Sequence, residues 1–301
     1  MNIRETHQLT RRYGRTEAVH DLNLAVPAGS VCALLGSNGA GKTTTLKVLM
    51  NLLEPTAGTA TVLGVDSRKL GERERAQIGY VSENQQMPLW MTVRQLLDYC
   101  RPFYPTWDVA LEKTLLARFE LPQDRKLSQL SRGMAMKAAL LSSLAYRPRL
   151  LVLDEPFSGL DPLVRDEFIK GVLEVSGAGE WTVLVSSHDI EEVERLADRV
   201  AYIETGRLRL HETTEALLGR FRRVEATDAV ASASASGEWQ DWERAGALTR
   251  FVETRYAGEA TERVWRERLG TDRVAAQPMT LRDIFISLAR AGRAAAKETV
   301  S

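Results

Sequence analysis

Apolar and polar positions along the chain fall into two alternating kinds of run. Short continuous apolar stretches, "SVCALLG", "RLLVLDEP" and "WTVLVSSH", are followed by the helical patterns "GKTTTLKVLMNLL", "PLVRDEFIKGVLEV" and "DIEEVERLADR". A strand without polar alternation is buried on both faces, and strands separated by helices pair in parallel, so the pattern predicts an α/β core. From about 88 to 146 the pattern is almost wholly helical, which predicts a helical subdomain inserted between the two halves of that core. "AYIETGRLRLHE" predicts a hairpin turning at Thr205 and Gly206, after which "TTEALLGRF" resumes as helix.

Beyond Arg222 the character changes. "RRVEATDAVASASASGEWQ" is small and polar and reads as a loop or flexible connection. Two strand candidates, "TRFVETRYA" and "DRVAAQPM", and two helices, "TERVWRERLG" and "TLRDIFISLARAG", then make a compact α+β appendix. The expected division is 1–220 for the core and 221–301 for the C-terminal accessory region.

Composition narrows the class. Forty basic residues balance forty acidic ones in 301, which argues against a basic nucleic-acid surface; no nucleic-acid partner is expected. The only cysteines, Cys32 and Cys100, make neither a disulfide framework nor a metal-ligand spacing. Cys32, inside "VCALLG", reads as a small buried hydrophobe in a reducing compartment. The N-terminus lacks the apolar core of a signal peptide, and no apolar run approaches the roughly 20 residues of a membrane helix, so a cytoplasmic location is expected.

Chemistry concentrates in two places. "GSNGAGKT" (Gly36, Ser37, Asn38, Gly39, Ala40, Gly41, Lys42, Thr43) fits G-x-x-x-x-G-K-[ST] between a predicted strand and a predicted helix, the context of a P-loop. Its glycines let backbone N–H groups wrap phosphates, with Thr44 continuing the helix start. Lys42 supplies charge to the β and γ phosphates, and Thr43 can ligate Mg²⁺. "LLVLDE" ends an apolar strand in two carboxylates, which are costly there without a cation: Asp154 for the metal and Glu155 as candidate general base.

With "LSRGM" (130–134), "SGLD" (158–161) and "SSHD" (186–189) in this order, residues 2 to 215 resemble the ATP-binding cassette of ABC transporters. The resemblance implies a P-loop NTPase cassette of α/β class that binds ATP and Mg²⁺. It implies that Ser131 and the N–H of Gly133, at a helix start, close over ATP held by a second subunit, in a homodimer or heterodimer. It makes His188 the histidine that contacts the γ-phosphate, Asp161 a residue that bridges subunits, and Tyr13 the aromatic that stacks on adenine. It also implies an integral membrane permease as partner, with the chain peripheral on the inner face of the cell membrane.

Two departures stand out. Aligned from "IGYV", Glu83 occupies the metal-sensing position where the family has glutamine, although Gln85 and Gln86 follow and leave a second register open. Arg132 replaces the usual glycine and Met134 the usual glutamine of the signature; Arg132 is expected to add a contact to the opposed subunit. The tail "QPMTLRDIFISLAR" is similar to the closing helix of cassettes serving exporters with separate permeases, whereas a generic amphipathic helix would equally place Leu281, Ile284, Phe285 and Leu288 on one face. A soluble ABC ATPase with a non-transport partner, or an importer subunit, is the alternative.

Overall fold

The computed structural model describes residues 2–176, 181–230 and 239–298. Contacts divide the chain into two units, 1–211 and 212–301, ahead of the expected boundary at 220. Within the second unit, Arg220 pairs with Glu212 and with the carbonyl of Thr254, which draws the helix Thr214–Arg220 into that unit.

The apolar runs form the parallel core of the first unit. Strands Val31–Leu35, Thr182–Ser187 and Leu150–Asp154 are buried at every position and lie side by side, flanked by Arg199–Glu204 on one side and Ile78–Ser82 on the other. The hairpin strand Arg207–Thr213 adds an edge. Its turn falls on Thr205 and Gly206, both at positive φ (46° and 78°), the backbone a two-residue hairpin requires. Register aligns the carboxyl ends: Leu35 faces Ser187, Asp154 faces Ser186, and Ser82 faces Asp154. Cys32 lies inside this core, where burial pushes its thiol up to about 12.

A second, mostly antiparallel sheet went unanticipated in the sequence pattern. Asn2–Tyr13 pairs with Thr16–Leu22, Ala25–Pro27 and Ala57–Val62. Its strands leave little mark in the sequence because buried positions of the first are polar (Arg4, Thr6, Thr10) and its alternation is broken by register shifts. Three helices occupy the predicted helical stretch: Val93–Cys100, Val109–Arg118 and Arg132–Leu144. The helix expected over "DIEEVERLADR" is shorter, Ile190–Glu194, because Asp198 is already committed to the sheet, its carboxylate accepting from the N–H of Val31 at 2.9 Å.

In the second unit, Trp239–Ala245, Leu248–Glu253, Arg222–Thr227 and Val274–Pro278 form a four-stranded sheet in that order. Arg222–Thr227 therefore corrects the expectation of a loop: Val224 and Ala226 alternate inward against Phe251 and Trp265, a period too short to stand out in so polar a segment. The Ala-Ser run at 231–238 lies outside the described residues. The helix Leu281–Glu298 buries Leu281, Ile284 and Phe285.

The helical stretch is pinned by a buried charge. Glu112, 1% exposed, accepts from Arg94 (3.1 Å), Arg101 (2.9 Å) and the indole of Trp107 (2.7 Å). Burial pushes its carboxyl up, but the bonds from Arg101 and Trp107 outweigh that and hold it below the ordinary glutamate value. A depressed carboxyl contributes stability that is present above the ordinary value of 4.5 and lost as pH falls through the lower folded value. Glu112→Gln should therefore lower stability by about 1–3 kcal/mol at neutral pH. Thermal melts should show that gap closing below about pH 4; a gap of constant size down to pH 3 would refute the assignment.

Candidate active site

The aligned strand ends bring the loop from Gly36 to Thr43, Asp154, Glu155 and His188 together at the carboxyl end of the sheet, where open α/β sheets place their ligands. The P-loop leaves Leu35 and wraps into the helix Lys42–Leu49. Its turn needs glycine at two points: a Cβ on Gly36 would stand 2.3 Å from the carbonyl oxygen of Ile203, and one on Gly41, at φ 105°, equally close to that of Ala18. No side chain caps this helix and its first turn holds no acid, so its N–H groups remain available to an anion. Ser37, Asn38 and Gly39 are exposed, Ala40 is buried beneath them, and Thr44 is half-buried.

Lys42 is 5% exposed. Its ammonium donates to the loop carbonyls of Gly36 (2.7 Å) and Ser37 (3.2 Å) and lies 3.0 Å from Glu155 Oε1. Glu155 takes a positive φ of 51°, rare for a side chain of its size, and this turns its carboxylate toward Lys42 and toward His188, whose Nδ1 is 2.7 Å from Oε2. Asp154, also buried, accepts from Thr43 Oγ1 (3.0 Å) and from Ser186 Oγ (2.7 Å). Ser186 Oγ in turn accepts from the N–H of Glu155 at 3.0 Å. One serine thus ties the carboxylate of Asp154 to the main chain of Glu155, a role that its place in "SSHD" marked only as part of a motif.

A cleft of about 480 Å³ opens here, lined by Ala18, by Asn38, Gly39 and Gly41 to Thr44 of the loop, and by the carboxylates of Glu83 and Glu155. Its volume suits a small-molecule ligand. Among the described residues no cluster of three or more His, Cys, Asp or Glu could cage a metal ion. The hydroxyl of Thr43 beside Asp154 instead fits Mg²⁺, which takes one or two protein oxygens and completes its shell with phosphate and water.

Glu83 Oε1 accepts from Arg132 Nη2 (2.5 Å) and Ser158 Oγ (2.8 Å). Burial pushes this carboxyl up, but the two donors outweigh it and leave it below its usual range. Arg132, expected to face a second subunit, is thus engaged within its own chain, because Glu83 presents it with a carboxylate there. Ser131 and Gly133 do not line the cleft. Ser131 is the exposed N-cap of Arg132–Leu144, accepting from the N–H of Met134 at 3.3 Å, and Gly133 packs on Val164, where a Cβ would meet Cγ1 at 2.8 Å. Asp161 caps the next helix, accepting from the N–H groups of Leu163 and Val164. Tyr13 is 46% exposed, with the Arg11 guanidinium 4.8 Å from its ring centroid.

The ABC transporter family model matches residues 19–158. The chain is 30% identical over 204 residues to the ABC transporter ATP-binding protein YtrB of Bacillus subtilis, covering 68% of this chain and 70% of that protein. It is 39% identical over 202 residues to the Nod factor export ATP-binding protein I of Burkholderia lata, covering 65% of this chain and 66% of that protein. It therefore spans about two thirds of the length of these relatives. Among solved structures, an ATP binding subunit of an ABC transporter matches with a TM-score of 0.65 at 28% identity, over 71% of this chain and 91% of that one.

Lys42 supplies the cleft's buried cation, so Lys42→Ala should weaken ATP binding about tenfold to a hundredfold, the loss expected for a hydrogen bond to a charged group. Titration with fluorescent ATP, beside a circular dichroism control, measures it; unchanged affinity would count against the loop as the phosphate site.

Proposed function

The chain belongs to the ABC transporter family as an ATP-binding ATPase subunit, and from that membership we propose that it hydrolyses ATP in a dimer of cassettes and drives a separately encoded membrane permease, in the direction of export. The observation that carries the catalytic reading is Glu155, held at the strand end by Ser186 and facing both Lys42 and His188. In this reading Lys42 leaves the carbonyls of Gly36 and Ser37 for the β and γ phosphates. Glu155 takes a proton from the attacking water as its oxygen bonds to the γ-phosphorus and the bond to the β-γ bridging oxygen breaks. His188 orients the γ-phosphate. Thr43 and Asp154 would hold Mg²⁺, which would supply positive charge against that developing on the phosphate oxygens. Tyr13 offers its open ring face to adenine, and Asp161 lies on the surface that meets the second subunit.

The two-subunit arrangement is supported by the signature: Ser131 and Gly133 stand at an exposed helix start that the chain's own cleft leaves unused. A membrane partner is supported by a half-apolar groove of about 310 Å³ that includes Leu52, Tyr80, Cys100, Tyr104 and Tyr146. Near it in sequence Trp90 and Phe103 are 68% and 63% exposed, apolar side chains that a partner would cover. No helix among the described residues is long and apolar enough to cross a membrane, so the span is assigned to the partner, with this chain on its cytoplasmic face. Export is supported by the relative named for Nod factor export and by the spacing of Pro278, at the end of a strand, with Leu281 and Phe285 on the last helix. The residues 212–301 are an accessory unit of this cassette.

On a Glu155→Gln background, where turnover should fall about 10²-fold to 10⁴-fold, ATP should accumulate the dimer. Adding Ser131→Arg should leave ATP bound yet abolish that dimer, as read by light scattering. Retention of the dimer, or a monomer in both proteins, would overturn the two-subunit site.

A further inference from the structure

The two departures from the family pattern meet in space. Aligned from "IGYV", Glu83 falls where the resemblance puts a neutral glutamine, and Arg132 falls where it puts glycine; the guanidinium of Arg132 holds the carboxylate of Glu83 at 2.5 Å. The contact is more than a chance surface pair. Glu83 Oε1 receives a second donor from Ser158. The guanidinium lies over Gly159, where an added Cβ would come within 2.9 Å of Nη1 and 3.0 Å of Cζ, so the missing side chain makes its room. The backbone is fixed as well, the N–H of Glu83 donating to the carbonyl of Asp154 at 3.0 Å. The main chain of Glu83 is thereby held beside the cleft that it lines, while Arg132 and Ser158 hold its carboxylate.

A fixed carboxylate beside a triphosphate raises the cost of binding unless its charge is compensated. Lys42 compensates Glu155, and among the described residues the structure gives Glu83 one cation partner within ion-pair distance, Arg132. We infer that Arg132 is the counter-ion that lets Glu83 stand in the nucleotide cleft, and that the two residues form a matched pair standing in for the neutral glutamine and glycine. Arg132 is thus a positioning residue for this subunit's own nucleotide, besides beginning the helix whose cap, Ser131, faces outward. The inference rests on the nucleotide reading of the cleft.

The test is a double-mutant cycle on the full chain carrying Glu155→Gln, with ATP affinity measured by titration calorimetry at two salt concentrations. Arg132→Gln should weaken ATP binding about tenfold by leaving Glu83 uncompensated, and the loss should shrink at high salt. Arg132→Lys, which keeps the charge, should bind within about threefold of the parent. Glu83→Gln added to Arg132→Gln should restore near-parental affinity, which loss of a merely structural contact would not allow. Unchanged binding by Arg132→Gln, or a double variant as weak as the single one, would overturn the pair. A parent protein that binds no ATP would overturn the nucleotide reading itself, and the pair's role with it.

Discussion

A triphosphate carries several negative charges into a cleft that already holds Glu83 and Glu155, with Asp154 behind them, so cations must be fixed there before any ligand arrives. Lys42 meets that demand under strict conditions. A buried ammonium is tolerated only when hydrogen-bonded and paired, and the loop's own carbonyls together with Glu155 supply the partners. The same arrangement, with His188 on its other oxygen, orients Glu155.

The charges can be assembled so closely because of strand register. Leu35, Ser82, Asp154 and Ser187 end their strands side by side, and the strands ending at Ser82 and Asp154 deliver Glu83 and Glu155 to the cleft at the next residue. Parallel strands buried on both faces have no polar side chains to spare along their length, so the polar groups collect at the ends, next to helix N-termini that favour anions. Ser186 shows how tight this economy is: its hydroxyl donates to Asp154 while accepting from the N–H of Glu155.

How much of this the sequence disclosed depended on how local the signal was. The P-loop, "LLVLDE" and the 205–206 turn were legible because each needs particular residues within a few positions: glycines for close backbone approach, carboxylates after an apolar run, positive φ at a hairpin. The antiparallel sheet was not, since Arg4, Thr6 and Thr10 occupy inward positions and erase the period of two. Nor was the strand Arg222–Thr227, whose inward residues gain meaning only from Phe251 and Trp265 far along the chain. Arg132 and Glu83 were each visible as oddities 49 residues apart, but their pairing is a tertiary fact.

Ser131 raises a last question, whether a hydroxyl already used as a helix cap can serve an anion as well. Capping occupies a lone pair of its oxygen, which accepts from the N–H of Met134, while the O–H remains a donor. The N–H groups of Arg132 and Gly133 belong to the first turn and have no carbonyl four residues behind them within the helix. The cap therefore fixes the helix start without closing it to an anion. Gly133 also leaves no room for a Cβ beside Val164, so its place at this helix start calls for glycine, and the N–H groups there stay open to an anion from outside the subunit.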